Sequence, residues 1–307
     1  MADDDHLATL FDEHRAHLQR VAYRLLGSLS EADDAVQETW LRLARSDTDE
    51  VVNLRAWLTT VVSRVCLDML RSRAARREDP LDVHVPDPVV RPMPGSAADA
   101  AADSPEERAL LADSVGLALL VVLDTLSPSE RLAFVLHDVF AVPFDEIGVV
   151  LDRSPGAAKQ LASRARGRLR AAGPHADPGR VRGTDARRHR DIVEAFVAAS
   201  RDGDLERLAR LLDPDVVLRA DAGAGPAGPS RTVHGVDAVI AQARQFAALS
   251  SAARLVLVNG VAGVVVAPHG KPFAVLGFTV DDGRVTEIDI LADPERLAGL
   301  DLDAALA

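Results

Sequence analysis

The sequence lacks several features that would assign it to familiar classes of protein. It contains a single cysteine, Cys66, which excludes an internal disulfide and any metal cluster built from several cysteines. Because Cys66 lies in an apolar helical pattern, we expect a buried structural thiol. No apolar run approaches the roughly 18 residues needed to cross a bilayer. The segment MADDDH is acidic, whereas the first residues of a signal peptide are basic. These absences predict a cytoplasmic protein.

Lysine is almost absent as well, since 33 of the 35 basic residues are arginine. The formal net charge of −12 argues against binding to nucleic acid, but it averages unlike segments. Residues 1–50 hold 12 acids and 5 bases, residues 153–190 hold 11 bases and 2 acids, and residues 191–307 hold 17 acids and 10 bases. A local block of positive charge releases counterions from DNA, so the middle segment predicts DNA contact. The acidic ends predict a protein partner at one end and a regulatory module that avoids DNA at the other.

Composition divides the chain into segments. With 307 residues and 48% hydrophobic content, it is long enough for two or three globular domains. Helical periodicity over residues 6–76 predicts a first helical domain over 1–78. A segment rich in proline, alanine and aspartate follows it and predicts a linker over 79–104. A second helical domain is expected over 105–172. A further linker, 173–189, then leads to a carboxyl-terminal domain, 190–307.

The carboxyl-terminal domain shows an α+β pattern. Two helices are predicted over residues 191–200 and 204–212, and a third over 234–249. Short β-branched runs bounded by glycine, proline or aspartate predict strands at 216–220, 254–258, 261–267, 273–280 and 284–290. Asp281, Asp282 and Gly283 predict a hairpin turn between the last two strands.

Residues 142–170 predict a helix-turn-helix. The first helix covers 145–151, Asp152 and Arg153 form the turn, and Ser154 caps a second helix that begins at Pro155. At 100° per residue, the second helix has an apolar side made of Ala158, Leu161, Ala162, Ala165 and Leu169. Its opposite side carries Gly156, Lys159, Gln160, Ser163 and Arg164. The first side packs, and the second can enter a major groove. Three flanking arginines are placed to meet phosphates: Arg166, Arg168 and Arg170.

Two helices of the first domain also carry patterned charge. Residues 28–45 predict a helix with Ser30 as N-cap and acids in the first turn. Its packing side leaves Asp34, Gln37, Glu38 and Arg42 on the remaining surface, which by itself is typical of a solvated face. Residues 53–77 predict another helix with a basic exit. Within it we interpret Trp57 as core packing rather than base stacking.

These segments together resemble the sigma-70 family of bacterial transcription initiation factors, in particular the small extracytoplasmic function (ECF) group. DDAVQETWLRL is similar to that family's region 2.2, and RAWLTTVVSRVCLDMLR to its regions 2.3 and 2.4. The segment from LSPSERLAFVLHD to the end of the helix-turn-helix is similar to region 4. The resemblance covers about residues 6–172. It implies two all-α sigma domains, a region 2 helical bundle and a region 4 helix-turn-helix.

The carboxyl-terminal domain resembles a SnoaL-like, NTF2-like cone, whose usual opening is similar to GDLERLARLLDPDVVLRAD at 203–221. Sigma factors with this extension form the SigJ-like or ECF41-like group. Members commonly carry DGGGK, NPDKL and WLPEP motifs; the corresponding segments here are DAGAG at 221–225, ADPERL at 292–297 and HVPDPVV at 84–90. The resemblance implies a regulatory contact, for which the candidates are Asp221, Arg284, Asp289, Asp293, Pro294 and Arg296.

The resemblance also implies partners and roles. RNA polymerase core enzyme should bind Asp34, Gln37, Glu38 and Arg42 through the clamp helices of its largest subunit. The minus-ten promoter element should be read and opened by Arg55, Trp57, Thr60, Arg64, Asp68 and Arg71. The minus-thirty-five element should meet Lys159, Gln160, Ser163, Arg164, Arg166 and Arg168. No cofactor, metal site or enzymatic activity is expected.

Two other functions remain open on the residues alone. The carboxyl-terminal domain can be an isomerase- or cyclase-like enzyme, with Asp221, His234 or Asp289 as general base, or its pocket can bind a small molecule as a signal. Alternatively, the whole chain is a DNA-binding transcription regulator. Such a regulator needs no polymerase-binding helix and no second basic helix.

Overall fold

The computed structural model describes residues 2–46, 53–76, 83–94, 116–171, 184–223, 226–245 and 247–306. Most of both predicted linkers and the first part of the predicted second domain lie outside these residues. The described chain forms two compact units. The first contains residues 2–76 and 122–171, and the second contains 83–94, 116–121 and 184–306. In sequence, helix α4 (Leu117–Leu123) spans this division.

Three helices form the amino-terminal part of the first unit: α1 (Ala2–Leu26), α2 (Leu29–Leu43) and α3 (Leu54–Arg76). Helix α2 begins earlier than predicted. Its N-cap is Ser28, whose hydroxyl accepts from the Glu31 amide at 3.5 Å. The prediction of Ser30 as N-cap was therefore wrong. Ser28 and Glu31 have the three-residue spacing of a capping box as well, and the helix begins at this earlier serine.

The core of this bundle is formed by the apolar stripes of the three helices. Phe11 and Trp40 pack with ring centroids 5.2 Å apart, and Leu58 and Val62 of α3 are fully buried. Cys66 is also fully buried, as expected, and burial raises the pKa of its thiol. It is thus a packing residue rather than a nucleophile.

The rest of the first unit is helical too. Helix α5 (Pro128–Phe134) continues into a π-helical turn (Val135–Val139), and is followed by α6 (Phe144–Leu151) and α7 (Pro155–Ala171). Helices α6 and α7 are the predicted helix-turn-helix, with bounds within one residue of those read from the sequence. Four small or apolar side chains of α7 are buried: Ala158, Ala162, Ala165 and Leu169.

The second unit is built on a seven-stranded sheet in the order β1-β4-β5-β6-β7-β2-β3. The strands are β1 (Val90–Pro92), β2 (Leu212–Asp221), β3 (Arg231–His234), β4 (Ala253–Val258), β5 (Val261–Val266), β6 (Ala274–Asp281) and β7 (Arg284–Leu291). Neighbours are antiparallel except β2 and β7, which are parallel. Asp282 and Gly283 join β6 to β7 with positive φ, as the predicted hairpin turn requires.

Helices cover parts of both faces of the sheet. They are α8 (Thr184–Asp202), α9 (Leu205–Leu211), α10 (Val236–Gln245), α11 (Pro294–Ala298) and α12 (Asp303–Leu306), with 3₁₀ turns at Ala247–Ala252 and Pro268–Gly270. One core cluster joins α8 to one face of the sheet through Phe196 and Phe278. A second cluster on the opposite face includes Val85, Leu117, Val256 and Leu297. The fold is the α+β cone expected beside two all-α domains.

The structure contains two strands that the sequence did not predict. Val90–Pro92, in the expected linker, pairs with β4, and Arg231–His234 pairs with β2. His234 therefore ends a strand instead of starting a helix, which corrects its expected place. Helix α8 also begins at Thr184, inside the second predicted linker. The buried His189 ring accounts for this, since its Nε2 meets the Ala262 carbonyl at 3.0 Å.

None of the helices in the described part of the chain is both long enough and apolar enough to cross a membrane. Within the same residues, no three histidine, cysteine, aspartate or glutamate side chains are grouped so that they could hold a metal ion.

Candidate nucleic-acid interface and linker clamp

Helix α7 presents its polar side outward. Lys159, Gln160, Ser163 and Arg164 are all exposed, and the Ser154 hydroxyl accepts from the Ala157 amide at 3.2 Å. A cap of this kind satisfies an amide at the start of the helix. The start of α7 is thus fixed, and the residues that follow it are accessible, as a helix that enters a DNA groove requires.

The turn before α7 depends on two residues. Asp152 has a left-handed conformation with φ of 55° and ψ of 51°, which aspartate tolerates better than most residues. Gly148 lies under this turn, and a Cβ at its position would be 2.7 Å from the Arg153 carbonyl oxygen. Glycine therefore allows α6 and α7 to approach closely, which sets the angle at which α7 is presented.

Two of the predicted DNA-binding arginines share one buried carboxylate, and we call this group the Glu130 cluster. Arg168 donates to Glu130 Oε2 at 2.9 Å, and Arg164 Nε lies 3.3 Å from Oε1. Glu130 also accepts from the amide and the hydroxyl of Ser127 at 3.2 and 2.7 Å. Glu130 thus caps α5 and holds two arginines of α7 at the same time.

The charge state of Glu130 follows from these contacts. Burial alone raises the pKa of a carboxyl group. For Glu130, the hydrogen bonds from Ser127 and the charges of Arg168 and Arg164 outweigh burial, and its pKa is lowered. Glu130 is therefore ionised at neutral pH. Arg166 of the same helix pairs with Asp138, and its Nε lies 3.4 Å from Asp138 Oδ1.

The predicted minus-ten residues lie along α3. Arg55, Arg64, Asp68 and Arg71 are exposed, and the side chains of Trp57 and Thr60 are half-buried. Arg64 donates to the Val149 carbonyl of α6 at 2.8 Å. Asp68 and Arg71 form a loose pair at 3.9 Å, and Arg55 lies 3.4 Å from His17 Nδ1. In this conformation, Arg64 is thus engaged by the helix-turn-helix.

The predicted polymerase-binding residues form one continuous strip on α2. Asp34 and Gln37 are exposed, and Glu38 accepts from Arg42 at 2.9 Å. Leu41, next to this strip, is 40% exposed. The strip therefore combines negative charge, which can steer a basic partner surface, with an accessible apolar side chain.

Three motifs singled out in the sequence meet in the second unit, in a group that we call the linker clamp: Asp87, Asp221 and Arg296. Arg296 donates through Nε to Asp87 at 2.8 Å and through Nη1 to Asp221 at 2.6 Å. Its Nη2 donates to the Val85 carbonyl at 2.6 Å and also contacts Asp87. One arginine thus holds the HVPDPVV segment against the end of β2.

Further hydrogen bonds fix the same segment. The Val85 amide donates to Asp221 at 3.0 Å. Val89 and Asn259 exchange two hydrogen bonds, from the Val89 amide to the Asn259 side chain at 2.9 Å and from the Asn259 amide to the Val89 carbonyl at 2.8 Å. Residues 85–92 therefore behave as part of the sheet, with β1 as its edge strand.

The other candidate regulatory residues separate into two groups. Asp293 caps α11 by accepting from the Glu295 and Arg296 amides at 2.9 and 3.2 Å, and Pro294 is the first residue of that helix. Both therefore position Arg296. Arg284, in contrast, is exposed at the opposite end of β7. Arg284 therefore lies apart from the residues around Arg296, because the length of the strand separates them, and its regulatory role stays a prediction.

Asp289 belongs to a separate cluster on β2 and β7. Arg219 donates to Asp289 at 2.8 Å and to Glu287 at 3.1 Å. Asp289 is almost completely buried, and burial raises its pKa to about 6 even though Arg219 acts in the opposite direction. Its carboxyl group is therefore occupied by an arginine rather than presented to a substrate.

Sequence reasoning missed several residues of these clusters. Glu130 had a detectable signal, since Ser127 and Glu130 have capping-box spacing. Asp87 lies in the HVPDPVV segment, which the resemblance marked without naming the residue. Asn259 and Arg219 had no signal, because their partners lie on distant segments.

Comparison with known proteins agrees with this arrangement. Three family models match the chain: Sigma-70 region 2 over residues 10–76, Sigma-70, region 4 over 116–169, and a SnoaL-like domain over 193–288. Together they define a sigma factor with a fused SnoaL-like domain.

Individual relatives match this chain along most of its length. The ECF RNA polymerase sigma factor SigJ of Mycobacterium tuberculosis is 39% identical, over 94% of this chain and 92% of that protein. The probable sigma factor SigI of the same species is 32% identical over 97% of each chain. The crystal structure of SigJ matches with a TM-score of 0.73 and 36% identity, over 96% of this chain and 100% of that one. The chain belongs to the ECF RNA polymerase sigma factors that carry a SnoaL-like domain.

Proposed function

We propose that this sigma factor divides promoter recognition between α7 and α3, recruits RNA polymerase core enzyme through α2, and is regulated through the linker clamp. The observation that carries the proposal is the polar side of α7, which is exposed while Glu130 holds two of its arginines. As a sigma factor acts on RNA polymerase, we place the protein in the cytoplasm.

Recognition of the minus-thirty-five element is assigned to α7. Lys159, Gln160 and Ser163 lie on its exposed side, and side chains of these types donate to or accept from base edges in a major groove. Arg164 lies on the same exposed side and is the arginine assigned to a base edge, whereas Arg166 and Arg168 lie on the flanks of the helix and supply charge toward phosphates. Because Arg164 and Arg168 are only partly neutralised by one glutamate, this surface keeps a positive charge.

The minus-ten element is assigned to the exposed side of α3. Arg55, Arg64 and Arg71 supply positive charge along about four turns. Trp57 and Thr60 are half-buried, so an unstacked base can rest against them, and for Trp57 this replaces the pure packing role expected from the sequence. Arg64 must leave the Val149 carbonyl to take part, since one guanidinium arm is used there.

Polymerase recruitment is assigned to Asp34, Gln37, Glu38 and Arg42 on α2. An acidic strip of this kind favours a basic partner surface, and the attraction weakens as salt increases. Salt-sensitive binding to core enzyme is therefore expected.

Regulation is assigned to the linker clamp because of its place in the sequence. The clamped segment connects the two helical domains along the chain, and a linker of 26 residues spans roughly 85–90 Å when fully extended. Holding residues 85–92 against the sheet shortens that reach. Opening of the clamp then increases the fraction of molecules whose two DNA-binding helices can reach both promoter elements.

We further infer that the SnoaL-like domain regulates without catalysing a reaction. Asp221 is engaged by Arg296, Asp289 by Arg219, and His234 lies exposed at the end of β3. A general base needs free access to a proton on its substrate. None of the three described side chains has that geometry inside the cone.

Run-off transcription with purified core enzyme tests these assignments in the full chain. Asp34→Arg should reduce transcript yield because it reverses charge on the α2 strip, and its matched control is Asp237→Arg, an exposed acid on α10. Arg296→Ala should raise the yield because it opens the clamp. Equal effects of the two charge reversals would reject the polymerase assignment, and an unchanged yield with Arg296→Ala would reject the regulatory one.

A further inference from the structure

Three arginines of α7 lie on two opposite flanks of the side of the helix that packs. At about 100° per residue, the centre of the buried side falls between Ala162 and Ala165. Arg166 lies about 70° to one side of this centre, and Arg164 and Arg168 lie about 90–130° to the other side. Each flank of the helix therefore carries its own positive charge.

Each flank contacts a different acid of the preceding helical segment. Glu130 of α5 holds Arg164 and Arg168, whereas Asp138 of the π-helical turn pairs with Arg166. Helices α5 and α7 pack against each other, so the two acids hold α7 from opposite flanks. Rotation of α7 about its own axis in either direction would lengthen one of these contacts.

The π-helical turn brings the two acids to the same side of their helix. Residues eight positions apart, such as Glu130 and Asp138, differ in direction by about 80° on a regular α-helix. In the π-helical turn the Phe140 amide donates to the Val135 carbonyl at 3.2 Å, five residues earlier instead of four. The turn thus uses about one extra residue, which reduces the difference in direction to about 20°.

Further contacts hold this turn in place. The ring of His137 stacks on the ring of Phe144 in α6, with centroids 3.9 Å apart. The Nδ1 atom of His137 lies 3.1 Å from the carbonyl oxygen of Val142. Asp138 follows His137 directly, so its backbone is anchored to the first helix of the helix-turn-helix.

Asp138 contacts Arg166 through the guanidinium nitrogen that is nearest to the helix. Arg166 Nε lies 3.4 Å from Asp138 Oδ1 and donates to the Ala162 carbonyl at 3.3 Å. Neither contact uses the two terminal nitrogens, which carry most of the donors of the guanidinium group. The side chain of Arg166 is 36% exposed. Its terminal nitrogens can therefore meet a phosphate while Asp138 keeps Nε.

We propose that Asp138 is a positioning residue for promoter recognition, which holds Arg166 toward a phosphate and, together with Glu130, fixes the rotation of α7 in the major groove. The inference rests on the proposed reading of the minus-thirty-five element by α7. Side chains at a binding site must be held within about 10–20° of their productive direction. A rotated α7 would misalign Lys159 and Gln160, which are exposed on its groove side.

The test measures binding of the holoenzyme, formed from the full chain and RNA polymerase core enzyme, to two DNA duplexes. One duplex is selected from a library randomised over the minus-thirty-five element, and the other carries altered bases in that element. Asp138→Asn should reduce the preference for the selected duplex about 3- to 10-fold, less than loss of a complete bidentate base contact. It should also lower the salt dependence of binding by about one phosphate contact.

Control variants separate positioning from simple neutralisation of Arg166. Asp145→Asn removes an exposed acid of α6 and should leave the preference unchanged, whereas Asp138→Glu keeps the charge and should retain most of it. In an Arg166→Gln background, Asp138→Asn should have no further effect, because it acts through Arg166. The proposal is overturned if Asp138→Asn strengthens binding to both duplexes equally, if it matches Asp145→Asn, or if its effect persists without Arg166.

Two further variants distinguish this inference from the proposed function. Lys159→Ala and Gln160→Ala should each reduce the preference for the selected duplex if α7 reads the minus-thirty-five element. If they do so and Asp138→Asn does not, the positioning role alone fails. If none of the three substitutions changes the preference, the assignment of minus-thirty-five recognition to α7 fails with it.

Discussion

The Glu130 cluster of the first unit and the linker clamp of the second unit combine carboxylates and arginines in opposite ratios. In the Glu130 cluster, one buried acid faces two arginines; the Glu130 side chain is 5% exposed, while those of Arg164 and Arg168 are 61% and 55% exposed. In the linker clamp, one arginine faces two acids, and all three side chains are at most 23% exposed. The first arrangement leaves positive charge at the surface, and the second encloses its charge.

This difference separates a binding surface from a structural contact. The guanidinium groups of Arg164 and Arg168 are exposed, and Ser127 continues to donate two hydrogen bonds to Glu130 when they turn away. Both arginines are therefore able to exchange Glu130 for DNA. A largely enclosed arginine between two acids is costly to disrupt, because removal of one partner leaves buried charge uncompensated. The Glu130 cluster should therefore be sensitive in DNA-binding assays, and the linker clamp in assays of stability.

The largest expected effect follows removal of the clamp arginine. Arg296→Ala leaves Asp87 and Asp221 without their shared cation, and should lower the unfolding free energy of the second unit by about 3–5 kcal/mol. Hydrogen exchange should accelerate at the Val85 amide, which donates to Asp221. Denaturant unfolding followed by far-ultraviolet circular dichroism, together with exchange measured by mass spectrometry, checks both results.

The control for this prediction is Arg284→Ala, since Arg284 is exposed at the far end of β7. It should change the unfolding free energy by about 0.5 kcal/mol or less. Equal losses in the two variants would show that the clamp contributes no more than an ordinary surface arginine, and the contrast between the units would fail.

The next largest effect is a pH dependence of stability that arises from Asp289, which shares Arg219 with Glu287. Its pKa of about 6 lies above the ordinary value of 3.8, so the folded state binds more protons than the unfolded state between these values. The unfolding free energy should therefore fall as pH rises from about 4 to about 6, and should level off above that. Asp289→Asn should lack this decline. The difference in unfolding free energy between the wild type and the variant should therefore change by about 2–3 kcal/mol from pH 4 to pH 6.

Urea unfolding at a series of pH values measures that difference. Asp237→Asn, which alters an exposed acid on α10, serves as control and should retain the pH dependence of the wild type. A flat difference between the wild type and Asp289→Asn from pH 4 to pH 7 contradicts the assignment.

The local features of these clusters were predictable from sequence, and the long-range ones were not. Ser154, Pro155 and the alternation of sides along α7 specified the helix-turn-helix, because caps and periodicity act within a few residues. The Asp282–Gly283 turn specified the last hairpin for the same reason. The resemblance to sigma factors then supplied the order of the domains.

The linker clamp shows why the rest required a structure. Asp87 and Arg296 are 209 residues apart in sequence, and β1 pairs with a strand that begins at Ala253. A proline-rich segment with alternating acids has the composition of a solvated linker, and nothing within a few residues of Val90 indicates an edge strand. Only the folded sheet supplies the partner that turns it into one.

A smaller effect is expected on DNA binding by the exposed arginines. Arg164→Ala should weaken binding to a promoter fragment by roughly 1–3 kcal/mol if Arg164 contacts a base edge. Arg201→Ala, an exposed arginine at the end of α8, is the matched control and should have no such effect. Competition between the promoter and a fragment with an altered minus-thirty-five element measures the loss, and a loss equal on both fragments would make Arg164 a phosphate contact instead.

The smallest expected change in unfolding free energy follows substitution of Glu130. The variant also tests whether Glu130 positions Arg164 and Arg168 or only neutralises their charge. Glu130→Gln keeps an acceptor for Ser127 but removes the attraction for Arg164 and Arg168. We therefore expect the unfolding free energy of the first unit to fall by about 1 kcal/mol at pH 7. Because the pKa of Glu130 is lowered in the folded state, its contribution is present above the unfolded pKa and is lost as pH falls through the folded value. The unfolding free energies of the wild type and Glu130→Gln should therefore become equal at acidic pH.

Fluorescence reports this change selectively, since both tryptophans, Trp40 and Trp57, lie in the first unit. Glu13→Gln, an exposed acid on α1, is the control for charge alone. If Glu130 positions the arginines, its substitution should reduce discrimination between the two promoter fragments even though net positive charge increases. If it only neutralises them, both fragments should bind more tightly by the same factor. The Glu130 cluster would then differ from the linker clamp only in how exposed its side chains are.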